Sequence, residues 1–203
     1  MDTNHFTALQ DSPSRNEIWS ISLKADGSFL GPARLELSMP LLPGYSYSNP
    51  VSDLTFSPTG TMIVAERSMF AGGAPGAHNS RVIEFVFTCS WVPAPSSYDI
   101  GCLFTLANSA GGVDLDLTPT CKFRVWATGD ALHFGSAAAC KWGPYPDLVY
   151  GLQGFPAGGG NITKSVLIDL NAYTKLSNKM QLGDVKRPCT FPDVTGPGDG
   201  RLN

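Results

Sequence analysis

Six side chains of the sequence are of the types that perform acid–base chemistry or bind ions, and they follow or precede short apolar segments: Glu66, Arg67, His78, Arg81, Asp130 and His133. A carboxylate, two guanidinium groups and an imidazole brought together would suit an anionic substrate or a proton transfer. The structural alternative is an Arg–Glu pair that ties adjacent strands, with His78 exposed in a glycine-rich loop. The residue types leave both interpretations open.

Asp130 and His133 lie close together in the segment TGDALHF, where they could orient an imidazole as a base or hold a divalent metal. One aspartate and one histidine are too few ligands for a complete site. The chain has 3 histidines, and His5 lies in the polar N-terminal leader. The sequence therefore predicts no metal and no other cofactor, with calcium as the remaining alternative.

A long aromatic segment, KWGPYPDLVYGLQGFPAGGG, is the best candidate for a binding surface. Tryptophan and tyrosine on a loop offer flat faces for a sugar or for a protein partner. The predicted binding residues are Trp142, Tyr145, Tyr150 and Gln153. The alternative is a loop that covers a sheet edge or a neighbouring unit.

The composition predicts an all-β protein. The 203 residues include 22 glycines and 16 prolines, whereas charged residues make up only 15%. Such a chain has many turns and short elements and differs from a helical bundle. The formal net charge of −3 offers no basic surface for nucleic acid. No apolar run approaches the roughly 20 residues that span a bilayer, so we expect no membrane span.

The spacing of the cysteines favours disulfides over a zinc site, because the sequence has no C-x-x-C pair. We expect two local disulfides, Cys89 with Cys102 and Cys121 with Cys140, with Cys189 left over. Reduced, partly buried thiols are the alternative. The low charge and the abundant Ser, Thr, Gly and Pro favour an extracytoplasmic location, although the N-terminal segment lacks the features of a signal peptide.

An internal repeat is the strongest signal in the sequence. The segments VSDLTFSPTGTMIVAER (51–67) and GVDLDLTPTCKFRVWAT (112–128) share an Asp-Leu pair, a Pro-Thr pair and alternating apolar residues. Each predicts a β-hairpin around its Pro-Thr turn. Asp53 and Asp114 recur at equivalent positions, so we expect both to accept hydrogen bonds from nearby backbone amides. The return strand 61–66 is apolar on both faces, which predicts a central strand in a sheet covered on both sides.

Each hairpin is expected to extend into a four-stranded antiparallel meander. In the first copy RVIEFVF would be the third strand and SSYDIGCLFTL the fourth; in the second, residues 167–170 match residues 82–85 across an inserted loop at 136–163. The predicted organisation is a flexible leader (1–15), a partial unit with its outer hairpin and linker (16–48), two repeats (49–108 and 109–185) and a Pro/Gly-rich tail (186–203). The chain thus holds about two and a half units.

The motif VSDLTFSPTGTMIVAER followed by SRVIEF resembles the blade pattern of bacterial six-bladed β-propellers, including the phytase-like (esterase-like phytase), SMP-30/gluconolactonase and NHL-type groups. The resemblance implies β-propeller-type blades with ligands at the mouth of a central channel. A closed propeller needs at least four blades. About two and a half units therefore imply an incomplete propeller, as a part of a longer protein or as an assembly subunit, or else a compact sandwich of two sheets.

The sequence favours an extracytoplasmic binding or structural module that acts through its loop surfaces. Its partners would be another protein or further copies of the chain, with carbohydrate as a further possibility. The alternative is a phytase-like or lactonase-like hydrolase, with the six ionisable residues named first at the propeller mouth.

Overall fold

The computed structural model describes residues 15–68, 78–96, 98–101, 106–117, 123–130, 132, 150–169 and 185. This part of the chain is all-β, with no helix. Its ten strands are β1 (Glu17–Leu23), β2 (Phe29–Ser38), β3 (Val51–Phe56), β4 (Met62–Glu66), β5 (Val82–Phe87), β6 (Trp91–Pro93), β7 (Ser109–Leu117), β8 (Phe123–Gly129), β9 (Gly151–Pro156) and β10 (Val166–Asp169).

The strands form three antiparallel sheets. Strands β1 and β2 pair as the hairpin sheet. Strands β3, β4, β5 and β6 are neighbours in that order and form the first sheet, whereas β7, β8, β9 and β10 form the second sheet in the same way. Each four-stranded sheet is a meander, because every strand pairs with the next strand of the sequence. The predicted all-β class and the two four-stranded meanders are therefore confirmed.

The two meanders have the same register. Asp53 lies opposite Ala65 in the first sheet, and Asp114 lies opposite Trp126 in the second. These are the pairs that the sequence repeat makes equivalent. The match continues to the next strand, since Ala65 lies opposite Val82 and Trp126 opposite Gly154. The repeat in the sequence is thus a repeat in backbone pairing.

The third strand of the second sheet is Gly151–Pro156, and the prediction that residues 167–170 supply it is wrong. The segment Val166–Asp169 is the fourth strand and pairs with β9. The apolar alternation of this segment resembles that of β5, but β9 is interrupted by glycine and glutamine, and its strand character depends on its neighbours. The prediction that SSYDIGCLFTL supplies the fourth strand of the first sheet is also wrong. That strand is Trp91–Pro93, and Tyr98 and Ile100 form only isolated bridges.

The first sheet is covered on both faces, as the sequence of its second strand predicts. All five side chains of β4 are buried. On one face Ile63, Ala65 and Val82 pack against a cluster from the second sheet and the connection before it, which includes Val113, Val125, Ala127 and Phe155. On the other face Met62, Val64 and Phe85 pack against Leu37 and Met39 of the hairpin sheet and its following residue.

The three sheets stack in the order of the sequence, and each four-stranded sheet has the same orientation relative to the sheet before it. Val64 and Val125 are equivalent by register, since they lie opposite Leu54 and Leu115. Val64 faces the hairpin sheet that precedes it, and Val125 faces the first sheet that precedes it. Each four-stranded sheet therefore uses the same face to contact the unit before it in the sequence.

Candidate functional site

Strands β2, β4, β6 and β8 end at the same end of the stack at which strands β3, β5, β7 and β9 begin, and we call it the loop end. The long connections 39–50, 67–81, 94–108 and 130–150 join these strand ends, whereas the shorter connections 24–28, 57–61, 88–90, 118–122 and 157–165 join the opposite ends. Contacts at the described ends of the long connections join them. Arg81 donates to the carbonyl of Pro40 at 2.9 Å, and the Asp130 N–H donates to the carbonyl of Asn108 at 2.8 Å.

Arg67 and Asp130 form an ion pair that links the two four-stranded sheets. Arg67 follows β4 and Asp130 follows β8, so each leaves the second strand of its sheet at the loop end. Arg67 Nη1 lies 2.5 Å from Asp130 Oδ2, and it also donates to the carbonyl of Ser109 at 3.1 Å. The Asp130 side chain is 1% exposed and that of Arg67 is 12% exposed. Burial raises the pKa of the Asp130 carboxyl, and Arg67 and His78 act in the opposite direction.

His78 lies beside this pair and is held by Asn108. The two meet through His78 Nδ1 and Asn108 Oδ1 at 2.7 Å. Asn108 Nδ2 donates to the carbonyl of Ile100 at 2.7 Å, which fixes its oxygen toward the imidazole. His78 Nδ1 must therefore carry the hydrogen, and in the neutral imidazole the basic nitrogen is Nε2.

Tyr150 completes the group of residues around Asp130. It precedes β9 at the loop end and is 9% exposed. Burial raises the pKa of its hydroxyl, the negative charge of Asp130 raises it further, and Arg67 lowers it. We define Arg67, His78, Asn108, Asp130 and Tyr150 as the polar cluster. It draws on both sequence copies, and the sequence predicted all of its members except Asn108.

Glu66 and Arg81 make a structural ion pair beside the polar cluster. Arg81 Nε and Nη2 donate to the two carboxylate oxygens of Glu66 at 2.7 and 2.6 Å. Asn49 Nδ2 donates to the same carboxylate at 2.9 Å, and Arg81 also donates to the carbonyls of Pro40 and Leu41. Glu66 is fully buried. This geometry ties β4, the start of β5 and the connection 39–50 together, which supports the structural alternative for these two residues.

Gln153 occupies in the second sheet the position that Arg81 has in the first. It lies opposite Ala127, and in the first sheet the Arg81 carbonyl accepts a hydrogen bond of 2.9 Å from the N–H of Glu66, the equivalent of Ala127. Gln153 is fully buried in β9. It accepts from the Gly101 N–H at 2.8 Å and donates to the carbonyl of Asp99 and to Ser165 Oγ. Gln153 therefore belongs to a strand and not to the inserted loop surface to which the sequence assigned it.

Several buried polar atoms at the loop end have no hydrogen-bond partner among the described residues: Asn49 Oδ1, Arg67 Nη2, Ser68 Oγ and Asp130 Oδ1. Buried polar atoms are nearly always paired, so unpaired ones point to a bound water, ion or ligand. Two of the four belong to the Arg67–Asp130 pair. Against the described residues, that pair keeps one unpaired donor and one unpaired acceptor.

A cavity of about 340 Å³ also opens at the loop end. Asn79, Arg81, Ser96, Tyr98 and Asp99 contribute its polar lining. Burial raises the pKa of the Asp99 carboxyl. The Tyr98 hydroxyl donates to Glu84 Oε2 at 2.9 Å, and burial together with that carboxylate raises the pKa of the tyrosine. Sequence reasoning did not select Asp99 or Asn79 as site residues, because both lie outside any catalytic motif.

The remaining predicted site residues are not all described. His133, Trp142 and Tyr145 lie outside the described residues, as do Cys102, Cys121 and Cys140. Cys89 is exposed and carries a free thiol. Within the described part of the chain, no group of three or more His, Cys, Asp or Glu side chains could hold a metal ion, and no helix there has the length and apolar character needed to cross a membrane.

No protein-family model matches the chain, and neither a curated protein nor a solved structure matches it.

Proposed function

We propose that the chain is an extracytoplasmic module of β-propeller-type repeats that binds a polar ligand at its loop end. The observation that carries this proposal is the Arg67–Asp130 ion pair between the sheets. It is buried, and it has Arg67 Nη2 and Asp130 Oδ1 without partners among the described residues.

The equivalent registers support the blade part of the proposal. Propeller blades are four-stranded meanders that pack face to face around an axis. The two meanders of this chain share their strand pairing and use the same face toward the preceding unit. Ligand sites of such repeats lie on the long connections of one end, because residues there vary without disturbing the sheets.

The chemistry of the two unpartnered atoms favours a neutral, hydroxyl-bearing ligand such as a carbohydrate. Arg67 Nη2 can only donate, and the ionised Asp130 Oδ1 can only accept. A hydroxyl group does both, so one hydroxyl or two neighbouring hydroxyls would pair with both atoms. The ion pair carries no net charge, so it gives a phosphate no advantage over a neutral group.

A panel of neutral cello-, xylo-, manno- and chito-oligosaccharides, followed by calorimetry of any that bind, tests the proposal. We expect Arg67→Lys, which keeps the charge but removes Nη2, and Asp130→Asn to weaken binding about 10-fold or more. The control is Arg34→Gln, which breaks an exposed ion pair of the hairpin sheet. Absence of binding to every member of the panel, or equal binding by these variants, would refute the proposal.

The second candidate is a phytase-like or lactonase-like hydrolase. It is favoured by the tautomer of His78, whose basic Nε2 in the neutral ring suits a general base near Asp130. The test is release of phosphate from phytate or opening of gluconolactone, with and without calcium. Turnover that His78→Ala and His133→Ala leave unchanged, or no turnover at all, excludes this function.

A further inference from the structure

The face of the second sheet that points away from the first sheet is partly covered, and Arg124, Trp126 and Leu152 on it are half-buried. The corresponding face of the first sheet carries Ile63, Ala65 and Val82, and the second sheet buries these side chains to 5% exposure or less. By register the corresponding residues of the second sheet are Arg124, Trp126 and Gly154. This partly covered face is thus the one on which the repeat places the next unit.

Exposed apolar side chains extend this face along β10. Val166 lies opposite Gly154 and Ile168 opposite Leu152, and the two β10 side chains are 39% and 43% exposed. Leu167, which alternates with them, packs into the core between the sheets. We call the set Arg124, Trp126, Leu152, Val166 and Ile168 the trailing face.

The hairpin sheet has the complementary open face. Ile18 packs toward the first sheet, and alternation along the strand places Glu17 and Trp19 toward the other side. The register shift after Ile18 leaves Trp19 also lining the cavity between the hairpin sheet and the first sheet. Trp19 pairs with Leu35, and these side chains are 54% and 43% exposed. We call Glu17, Trp19 and Leu35 the leading face.

We propose that a second copy of the chain docks its leading face on the trailing face of the first, so that copies associate head to tail. The arrangement continues the interface that the sheets already make within one chain, where a trailing face packs on the leading face of a neighbouring unit. Such a contact joins two different surfaces, so it can propagate to further copies or close into a ring.

The charges of the two faces are complementary. Glu17 accepts a hydrogen bond from Trp19 Nε1 at 2.9 Å, which places a carboxylate beside the exposed indole of the leading face. The guanidinium of Arg124 lies 5.6 Å from the ring centre of Trp126 on the trailing face. Each face therefore has an indole beside one charge, and the two charges have opposite signs. Trp19 is exposed, whereas Trp126 is half-buried. Aromatic and arginine side chains are the usual anchors of protein interfaces.

Native mass spectrometry and sedimentation of the 203-residue chain test this proposal with two variants. Trp19→Asp removes the leading face, and Ile168→Asp removes the trailing face; both positions are exposed, and circular dichroism and thermal unfolding verify that the variants fold. The wild-type chain is expected to form concentration-dependent oligomers. Each variant alone is expected to be a monomer, with association weakened about 30-fold or more.

Mixing the two variants is the decisive step, because each retains the face that the other lacks. We expect a one-to-one heterodimer and nothing larger. The control Tyr45→Asp, an exposed aromatic position of the connection 39–50, should associate like the wild type. A monomeric wild-type chain, oligomers that persist in either single variant, or a mixture without heterodimer would each overturn the proposal.

Discussion

The carboxylate of Asp53 in the first sheet accepts a hydrogen bond of 2.9 Å from the backbone N–H of Val113 in the second. Its other oxygen accepts from the N–H of Leu54 at 2.9 Å. Asp114, the equivalent residue of the second sheet, accepts from Leu115 at 2.8 Å. The prediction that both aspartates accept backbone hydrogen bonds is confirmed. Asp53 also sets the position of the first sheet along the second. Its partner Val113 directly precedes Asp114, so the two equivalent aspartates lie next to each other across the interface.

Asp53→Ala should lower the free energy of unfolding by about 2–3 kcal/mol, because it removes a charged acceptor and leaves the Val113 N–H unpaired between two sheets. Urea denaturation measures the change. The matched control is Asp26→Ala, which removes acceptors from Ser28 in an exposed hairpin turn. A loss at Asp53 no larger than the loss at Asp26 would show that the bond to Val113 does not hold the sheets together.

Arg81→Gln should destabilise the protein by about 3–5 kcal/mol, since it leaves the buried Glu66 carboxylate without its cation. The double variant Glu66→Ala, Arg81→Gln reproduces the Ala127 and Gln153 of the second sheet and should recover at least about 2 kcal/mol of that loss. Thermal and urea unfolding of the two variants measure the recovery.

The exposed pair of the hairpin sheet provides the control for this prediction. Arg34 is 75% exposed, so Arg34→Gln should cost less than about 1 kcal/mol. A double variant that is less stable than Arg81→Gln would contradict the prediction. It would mean that the first sheet does not accept the residue types that the second sheet has at the equivalent positions.

Gly154→Ala should cost about 1–3 kcal/mol, because a Cβ at this position would lie 2.6 Å from Trp126 Cζ3 and 2.9 Å from Arg124 Cδ. In a Trp126→Ala background the same substitution should cost at least about 1 kcal/mol less, because only the flexible Arg124 side chain then crowds the added Cβ. A double-mutant cycle by urea denaturation measures this coupling. Equal costs in the two backgrounds would mean that the indole does not lie over Gly154.

The stability that Asp99 contributes should depend on pH with a defined sign. Burial raises the pKa of its carboxyl above the ordinary value of 3.8, so the folded state binds this proton more tightly than the unfolded state. The contribution is fully present below 3.8 and is lost as the pH rises through the raised pKa. Relative to Asp99→Asn, the wild-type protein should therefore lose stability between these two pH values. Urea denaturation over a pH series checks the difference, and a gain with rising pH would contradict it.

The sequence predicted the inner hairpins well because their information is local. Asp53 and Asp114 mark the same position in each copy. The return strand of the first hairpin, β4, is apolar on both faces, and this pattern predicts that both faces are buried. The third strand of the second sheet was assigned wrongly for a physical reason. In β9 a glycine makes room for Trp126, and Gln153 replaces an ion pair with hydrogen bonds to three neighbours. These substitutions remove the alternation by which a strand is recognised.

The candidate site was predictable only in part. Arg67 and Asp130 carry charge and follow predicted strands, so the sequence could propose them. Asn108 and Asn49 act through amide hydrogen bonds that depend on contacts between distant segments, and an amide alone indicates no chemistry. The sequence could not separate the functional from the structural alternative for Glu66 and Arg81, because that depends on which carbonyls surround the guanidinium.

Nuclear Overhauser effects between backbone protons of facing strands test the equivalence of the two sheets most directly. The account predicts cross-strand contacts of Asp53 with Ala65 and Ala65 with Val82, matched by contacts of Asp114 with Trp126 and Trp126 with Gly154. Contacts that join Trp126 directly to Val166–Asp169, with Gly151–Pro156 outside the sheet, would contradict it.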